Sequence, residues 1–325
     1  MKPRAVALGL ALALLASGRA DAYVRSKTSD KMLPKFWAES CIPVTIYLNK
    51  FKFPQYGQQQ SNDAVVKSLT AAAHAWSPDL VTCDGNGVPS QPYLEIVPTF
   101  APAEASPPAV ASDHRNSIIF RYEMWTKSGV PAKVPRDQYS DEAVAVTTVF
   151  ALQDGRIQDA DIEINATPEL WSWANLDAGV VAPVNQHLNG DVYDLQTALT
   201  HEFGHLLGLE HTCFVPVVPG GPVDSNNVPR PVDDQGRGVP DCADASSDIE
   251  LTVMYYKTSN QDTSKRVLSQ DEINFLCTVY PASKDPRICR ADQPNTGCAT
   301  ASAPARHGNA GPRGGALGLL AAGGL

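Results

Sequence analysis

Apolar and polar positions along this 325-residue chain switch between two periods, and the switches mark out its elements. Residues 43–49 (P-V-T-I-Y-L-N) are rich in β-branched side chains and predict a strand. Over residues 61–76 the period becomes helical, with Val65, Leu69, Ala72 and Trp76 on one apolar stripe. Residues 93–97 and 117–122 read as short strands, the first closed by Pro98, with a Pro/Ala-rich loop from Ala101 to Ala111 between them. Two further strands, 144–150 and 157–164, flank the turn signal Asp154-Gly155. In the second, Ile157, Asp159, Asp161 and Glu163 are offset against Ala160, Ile162 and Ile164. A longer helix opens at Asp191, an N-cap residue type, with Asp194 favouring its positive end. Leu195, Leu199, Phe203 and Leu206 form its apolar face, and Gly208 ends it. After a long Pro/Gly-rich loop the last helix starts at Ser269, where Ser269 and Glu272 form a capping box. Ile273, Leu276, Cys277 and Tyr280 are its stripe.

The two ends read differently. Lys2 and Arg4, an apolar run from Ala5 to Ala16 and the small-x-small site Ala20-Asp21-Ala22 make residues 1–22 a signal peptide, too short in its apolar run for a membrane span. The chain then divides into an N-terminal segment (23–42), a main domain (43–281) and a Cys/Pro/Gly/Ala-rich tail (282–325). The tail is a floppy end or the remnant of a sorting signal. With 26 Lys and Arg against 35 Asp and Glu the net charge is −9. Losing Lys2, Arg4, Arg19 and Asp21 leaves −11, a poor partner for nucleic acid or an anionic membrane. The expectation is a secreted monomer with no stable membrane insertion. Seven cysteines in an exported chain point to disulfides with one left over. Proximity alone suggests Cys41–Cys83, Cys213–Cys242 and Cys277–Cys289, with Cys298 unpaired.

The chemistry concentrates at H-E-F-G-H-L-L-G-L-E-H, residues 201–211. His201 and His205, four apart on a helix, project from one face and can share one ion. Glu202 points away from ligation and can take a proton from water at that ion. Two histidines at this spacing also occur as plain surface or core residues; the extension separates the readings. Gly208 allows a positive φ, so the chain can turn and bring His211 to the same point. Three imidazoles with one open position describe a catalytic zinc site.

His201-Glu202-x-x-His205-x-x-Gly208-x-x-His211 resembles the long zinc motif of the metzincin metalloproteases. Met254, in Thr252-Val253-Met254-Tyr255-Tyr256, is similar to the methionine turn that floors the metal in that family. Within it the chain looks most like the bacterial matrixin-type enzymes, over roughly residues 43–281. Asp161-Ile162-Glu163-Ile164-Asn165 resembles their substrate-pairing strand, Asp194-Leu195-Gln196 their approach to the zinc helix, and Leu268 to Ile273 with Tyr280-Pro281 their last helix. The resemblance implies an α+β zincin fold: a twisted, mostly parallel five-stranded sheet with one antiparallel edge strand, a backing helix, a zinc helix and a small C-terminal subdomain. It implies a secreted zinc endopeptidase acting on a protein or peptide, with Glu202 as general base. A catalytically silent metal-binding or adhesion module is the alternative.

Some residues depart from the matrixin pattern. Tyr255-Tyr256 stand where proline is usual. Tyr256 has the place of a tyrosine that reaches the zinc in astacin-like and serralysin-like relatives; packing is its other reading. No cysteine-switch segment precedes the motif, and Val239-Pro240-Asp241-Cys242 matches it faintly but out of order. Residues 233–241 (D-D-Q-G-R-G-V-P-D) resemble a degenerate calcium loop, with Arg237 where an acid is expected; a solvated turn is the other reading. If Cys213 and Cys242 pair, they staple this loop beside the cleft, where it is expected to shape specificity.

Overall fold

The computed structural model describes residues 23–47, 62–85, 88–102, 106–133, 137–140, 143–166, 172–174, 192–225, 227–234 and 236–289. The signal-peptide reading, Asp191 and Cys298 lie outside these, as does the tail beyond Cys289.

Five strands make the main sheet: β1 (Cys41–Tyr47), β2 (Glu95–Phe100), β3 (Ser117–Arg121), β4 (Ala145–Ala151) and β5 (Ile157–Asn165). Their spatial order is β2-β1-β3-β5-β4, parallel throughout except for β4, which runs antiparallel to β5 at the edge. The expected α+β architecture with a mostly parallel five-stranded sheet and one antiparallel edge strand is therefore present. The period-2 pattern explains β1 directly: Ile42, Val44 and Ile46 are buried and alternate with half-buried neighbours. β2 continues through Pro98, where proline seemed to end it. An edge strand needs ladder bonds on one side only, so the missing N–H is tolerated.

Helix α1 (Asn62–Ala75) backs the sheet. Val65, Leu69, Ala72 and Trp76, the stripe read from the period, are all buried. Helix α2 (Leu195–Leu206) packs on α1 and on β4, with Leu199, Phe203 and Leu206 fully buried. Burying each such side chain stabilises the fold by about 1.5–3 kcal/mol. The helix starts later than expected. Residues 192–194 form a short strand, and Asp194 is the N-cap, accepting from the Thr197 N–H at 2.9 Å. Arg266 fixes the same carboxylate through two bonds of 2.7 and 2.6 Å. Helix α3 (Gln270–Val279) opens with the expected capping box at Ser269 and Glu272.

Only one disulfide follows proximity, Cys213–Cys242. The others are Cys41–Cys289 and Cys83–Cys277, tying β1 to the C-terminal segment and the residues after α1 to α3. Short spacing misled here because the chain returns to the sheet after residue 280: Ser40 N–H donates to Ile288 O, and Tyr93 N–H to Tyr280 O. Cys242 is thus a bridged cysteine and offers no free thiol.

Candidate metal centre

Every turn of α2 near the histidines is held from outside. Trp76 Nε1 donates to Thr200 O at 3.0 Å, and Trp37 Nε1 to Leu206 O at 2.8 Å. Tyr280 Oη donates to Leu207 O at 2.8 Å, so the last carbonyls of the helix are satisfied by buried aromatics. Gly208 follows with φ +102, and a Cβ there would stand 2.9 Å from Lys35 O. Both facts demand glycine. The chain then reverses, Leu209–Glu210 pairs with Val24–Arg25, and His211 arrives beside the helix.

The three imidazoles converge through the same atom. His211 Nε2 lies 3.2 Å from His201 Nε2 and 3.2 Å from His205 Nε2. Three nitrogens each about 2.0–2.1 Å from one tetrahedral ion stand roughly 3.3 Å apart, so the spacing fits. The far nitrogens are anchored. His201 Nδ1 donates to Val253 O at 2.7 Å and His205 Nδ1 to Leu209 O at 2.9 Å, which leaves Nε2 of each as the lone-pair atom. Burial, and next the neighbouring His205, pushes His201 down from its ordinary value to about 3, and the same causes hold His211 well below it. Neutral imidazoles are what a cation requires. Among the described residues this is the single group of three or more such side chains able to hold a metal ion.

Glu202 is 5% exposed and lies on the cleft wall. Its Oε2 accepts from Thr147 Oγ1 at 2.5 Å, and burial raises its pKa from the usual carboxylate value. Thr147, on β4, escaped the sequence reading: a threonine in a β-rich run carries no signal of its own.

Met254 is fully buried beneath α2. A Cβ on Gly204 would stand 2.2 Å from Met254 Sδ and 3.2 Å from Trp76 Cζ2. The third residue between the two helical histidines is therefore glycine because methionine and tryptophan fill its place. That constraint was also missed; a glycine mid-helix, where it costs about 1 kcal/mol, was the available clue. The turn carrying Met254 is fixed in turn by Glu272, whose Oε1 accepts the Met254 N–H at 3.1 Å.

Tyr256 does line the same cleft, 40% exposed, with its ring edge-on to Tyr255 at 5.0 Å. The strand expected to pair with substrate does not line it. Asp161, Ile162, Glu163, Ile164 and Asn165 are all buried in β5, whose backbone is bonded to β3 on one side and β4 on the other. No edge is left there for a ligand. The cleft wall comes instead from β4, through Ala145, Val146, Thr147 and Val149, and this strand is paired on one side only.

The suspected calcium loop is a closed turn. Gly236 has φ +79, and Asp233 accepts from Arg237 N–H at 2.8 Å and Arg237 Nε at 2.6 Å. Lys27 Nζ donates to the carbonyls of Val232 and Asp233 at 2.9 Å each. The protein's own cations occupy the oxygens that an ion would need.

No protein-family model matches the chain, and no curated protein matches it. The fold and site by themselves define an α+β protein with a three-histidine centre open to a cleft of about 880 Å³.

Proposed function

We propose that this protein is a secreted zinc endopeptidase of the metzincin type, nearest to the matrixins. One observation carries the reading: three imidazoles meet at Nε2, two of them anchored through Nδ1, while a buried glutamate, held by Thr147, stands on the same helix beside them. His201, His205 and His211 would hold the ion. Zinc supplies a Lewis acid there that polarises a carbonyl and acidifies water. Glu202 takes the proton of the attacking water and returns it to the departing amine. Its raised pKa suits both halves of that transfer, and the bond from Thr147 keeps the carboxylate aimed at the cleft. An extended peptide adds along the open edge of β4, antiparallel pairing giving affinity and side-chain pockets giving selection. Three disulfides suit an oxidising compartment, in keeping with export. Among the described residues no helix is long and apolar enough to cross a membrane.

The test is cleavage of an unfolded protein by the zinc-loaded chain, abolished by a chelator, restored by zinc and absent in Glu202→Ala. Zinc binding without cleavage across a broad peptide library would instead establish a silent metal-binding module.

A further inference from the structure

Resting on the peptidase reading, we propose that the metal cleft carries a carboxylate-selecting pocket built on Lys265 and Thr258, so that preferred substrates place an acidic group beside the histidine centre. Lys265 is 4% exposed, yet it lines the cleft with Tyr255, Tyr256, Lys257 and Thr258. Its ammonium makes one hydrogen bond, to Lys257 O at 2.5 Å, and lies 4.9 Å from the centroid of the Tyr255 ring. Burial lowers its pKa from the ordinary lysine value, Asp262, Glu272 and Glu250 act in the opposite direction, and no carboxylate among the described residues is within 4 Å. An ammonium has three donors, so two remain after Lys257 O. Burying a charge is costly, and a buried ammonium that lines an open cleft with no carboxylate bonded to it fits a ligand that brings the opposite charge.

Thr258 supplies the independent observation. Its Oγ1 is buried and has no hydrogen-bond partner among the described residues, although the residue borders the same cleft. Two spare ammonium donors and an orphan hydroxyl together match one carboxylate, which accepts several bonds. Lys257 is a second cation here but is exposed, and Tyr193, Thr197 and Ala198 carry no charge. Lys35 also lines the cleft, with Glu210 near enough to favour its charge against the effect of burial. The carboxylate can come from an Asp or Glu side chain within the substrate or from a peptide C-terminus.

Binding is measured on the zinc-loaded Glu202→Ala chain, which leaves peptides intact, by titration calorimetry. Matched peptides carry Glu or Gln at each position in turn, each with a free or amidated C-terminus. We expect the Glu member to bind at least about tenfold tighter at one internal position, the scale of a charge-assisted hydrogen bond. Lys265→Met should remove that preference and Lys265→Arg should keep it, while Thr258→Val should weaken it about threefold. A preference that follows the free C-terminus assigns the pocket to chain ends. Equal binding of Glu and Gln peptides with either terminus overturns the proposal, even if the wild-type chain cleaves them. Lys265-dependent binding without any cleavage by the wild-type chain would uphold the pocket and sink the peptidase reading.

Discussion

Two sets of buried polar side chains lie on opposite sides of the same edge of the sheet, and they are wired differently. On the outer face of β5, Asp159, Asp161 and Glu163 turn away from α2 and are enclosed by the protein. Asp159 Oδ2 accepts the N–H groups of Asp113, His114 and Arg115, and Asp161 Oδ2 that of Ala111. Glu163 accepts from Arg121 Nε at 2.5 Å, from Ser128 N–H and from Tyr139 Oη. On the helix side, His201, His205 and Glu202 are anchored only from behind, by Val253, Leu209 and Thr147, and their remaining nitrogens and oxygen face a cleft. The first set is enclosed by the protein and holds loops to the sheet, although Asp159 Oδ1 and Asp161 Oδ1 make no hydrogen bond among the described residues; the second set opens on a cleft and can meet a ligand. The chain pattern of β5 looks like a half-exposed strand and is a closed one, because Ala111, residues 113–115, Ser128 and Tyr139 bond to its acidic side chains.

Substitutions in each set should therefore fail in different ways. Glu202→Ala has the largest expected effect on activity: turnover of a peptide falls by about 10³-fold, within the range of general acid–base catalysis, while zinc content stays at one per chain by elemental analysis. Loss of zinc in that variant would break the division between ligand and base. Glu163→Gln should do the opposite. It leaves Arg121 buried beside a neutral partner and costs about 3 kcal/mol of stability, read from urea unfolding, with zinc affinity unchanged. Thr147→Val is smaller: kcat falls about tenfold as the Glu202 carboxylate loses its anchor, with KM within twofold. A KM effect alone would mean that Thr147 serves the substrate strand and not the base.

The last expectation is a pair of opposed slopes, which partly cancel, in the metal-free protein. Burial holds His201 near about 3 against an ordinary 6.5, so between those values the unfolded chain binds a proton that the folded chain refuses. Stability from this group falls as pH drops through that window. Burial, and then Asp159, hold Asp161 up at about 7 against 3.8, so there the folded chain keeps a proton that the unfolded chain releases. Stability from Asp161 falls as pH rises from 3.8 to 7. Urea midpoints at pH 4 and 7 should show the second slope shrinking in Asp161→Asn; an unchanged slope refutes the assignment.

Much of the metal centre was legible because it is local. Two histidines four apart on a helix must share a face, and Gly208 is the residue type that a reversal needs. The β1 alternation, the α1 stripe and the Ser269–Glu272 capping box were equally direct, since each depends on neighbours within a few positions. The errors arose where distant segments meet. Disulfide partners 248 and 194 residues apart cannot be read from spacing. The substrate strand was assigned to β5 by its motif, but whether a strand has a free edge depends on who pairs with it.

The sequence by itself determined the histidine triad, the glutamate beside it, the amphipathic faces of α1 and α2 and the order of the strands along the chain, because helix and strand periods are properties of contiguous residues. Only the tertiary structure decided that β4 and not β5 borders the cleft, that Thr147 holds Glu202, that Gly204 makes room for Met254, and that Lys265 is buried beside the metal centre. Each of those depends on side chains brought together across tens of residues, and packing, which has no period, chose the partners.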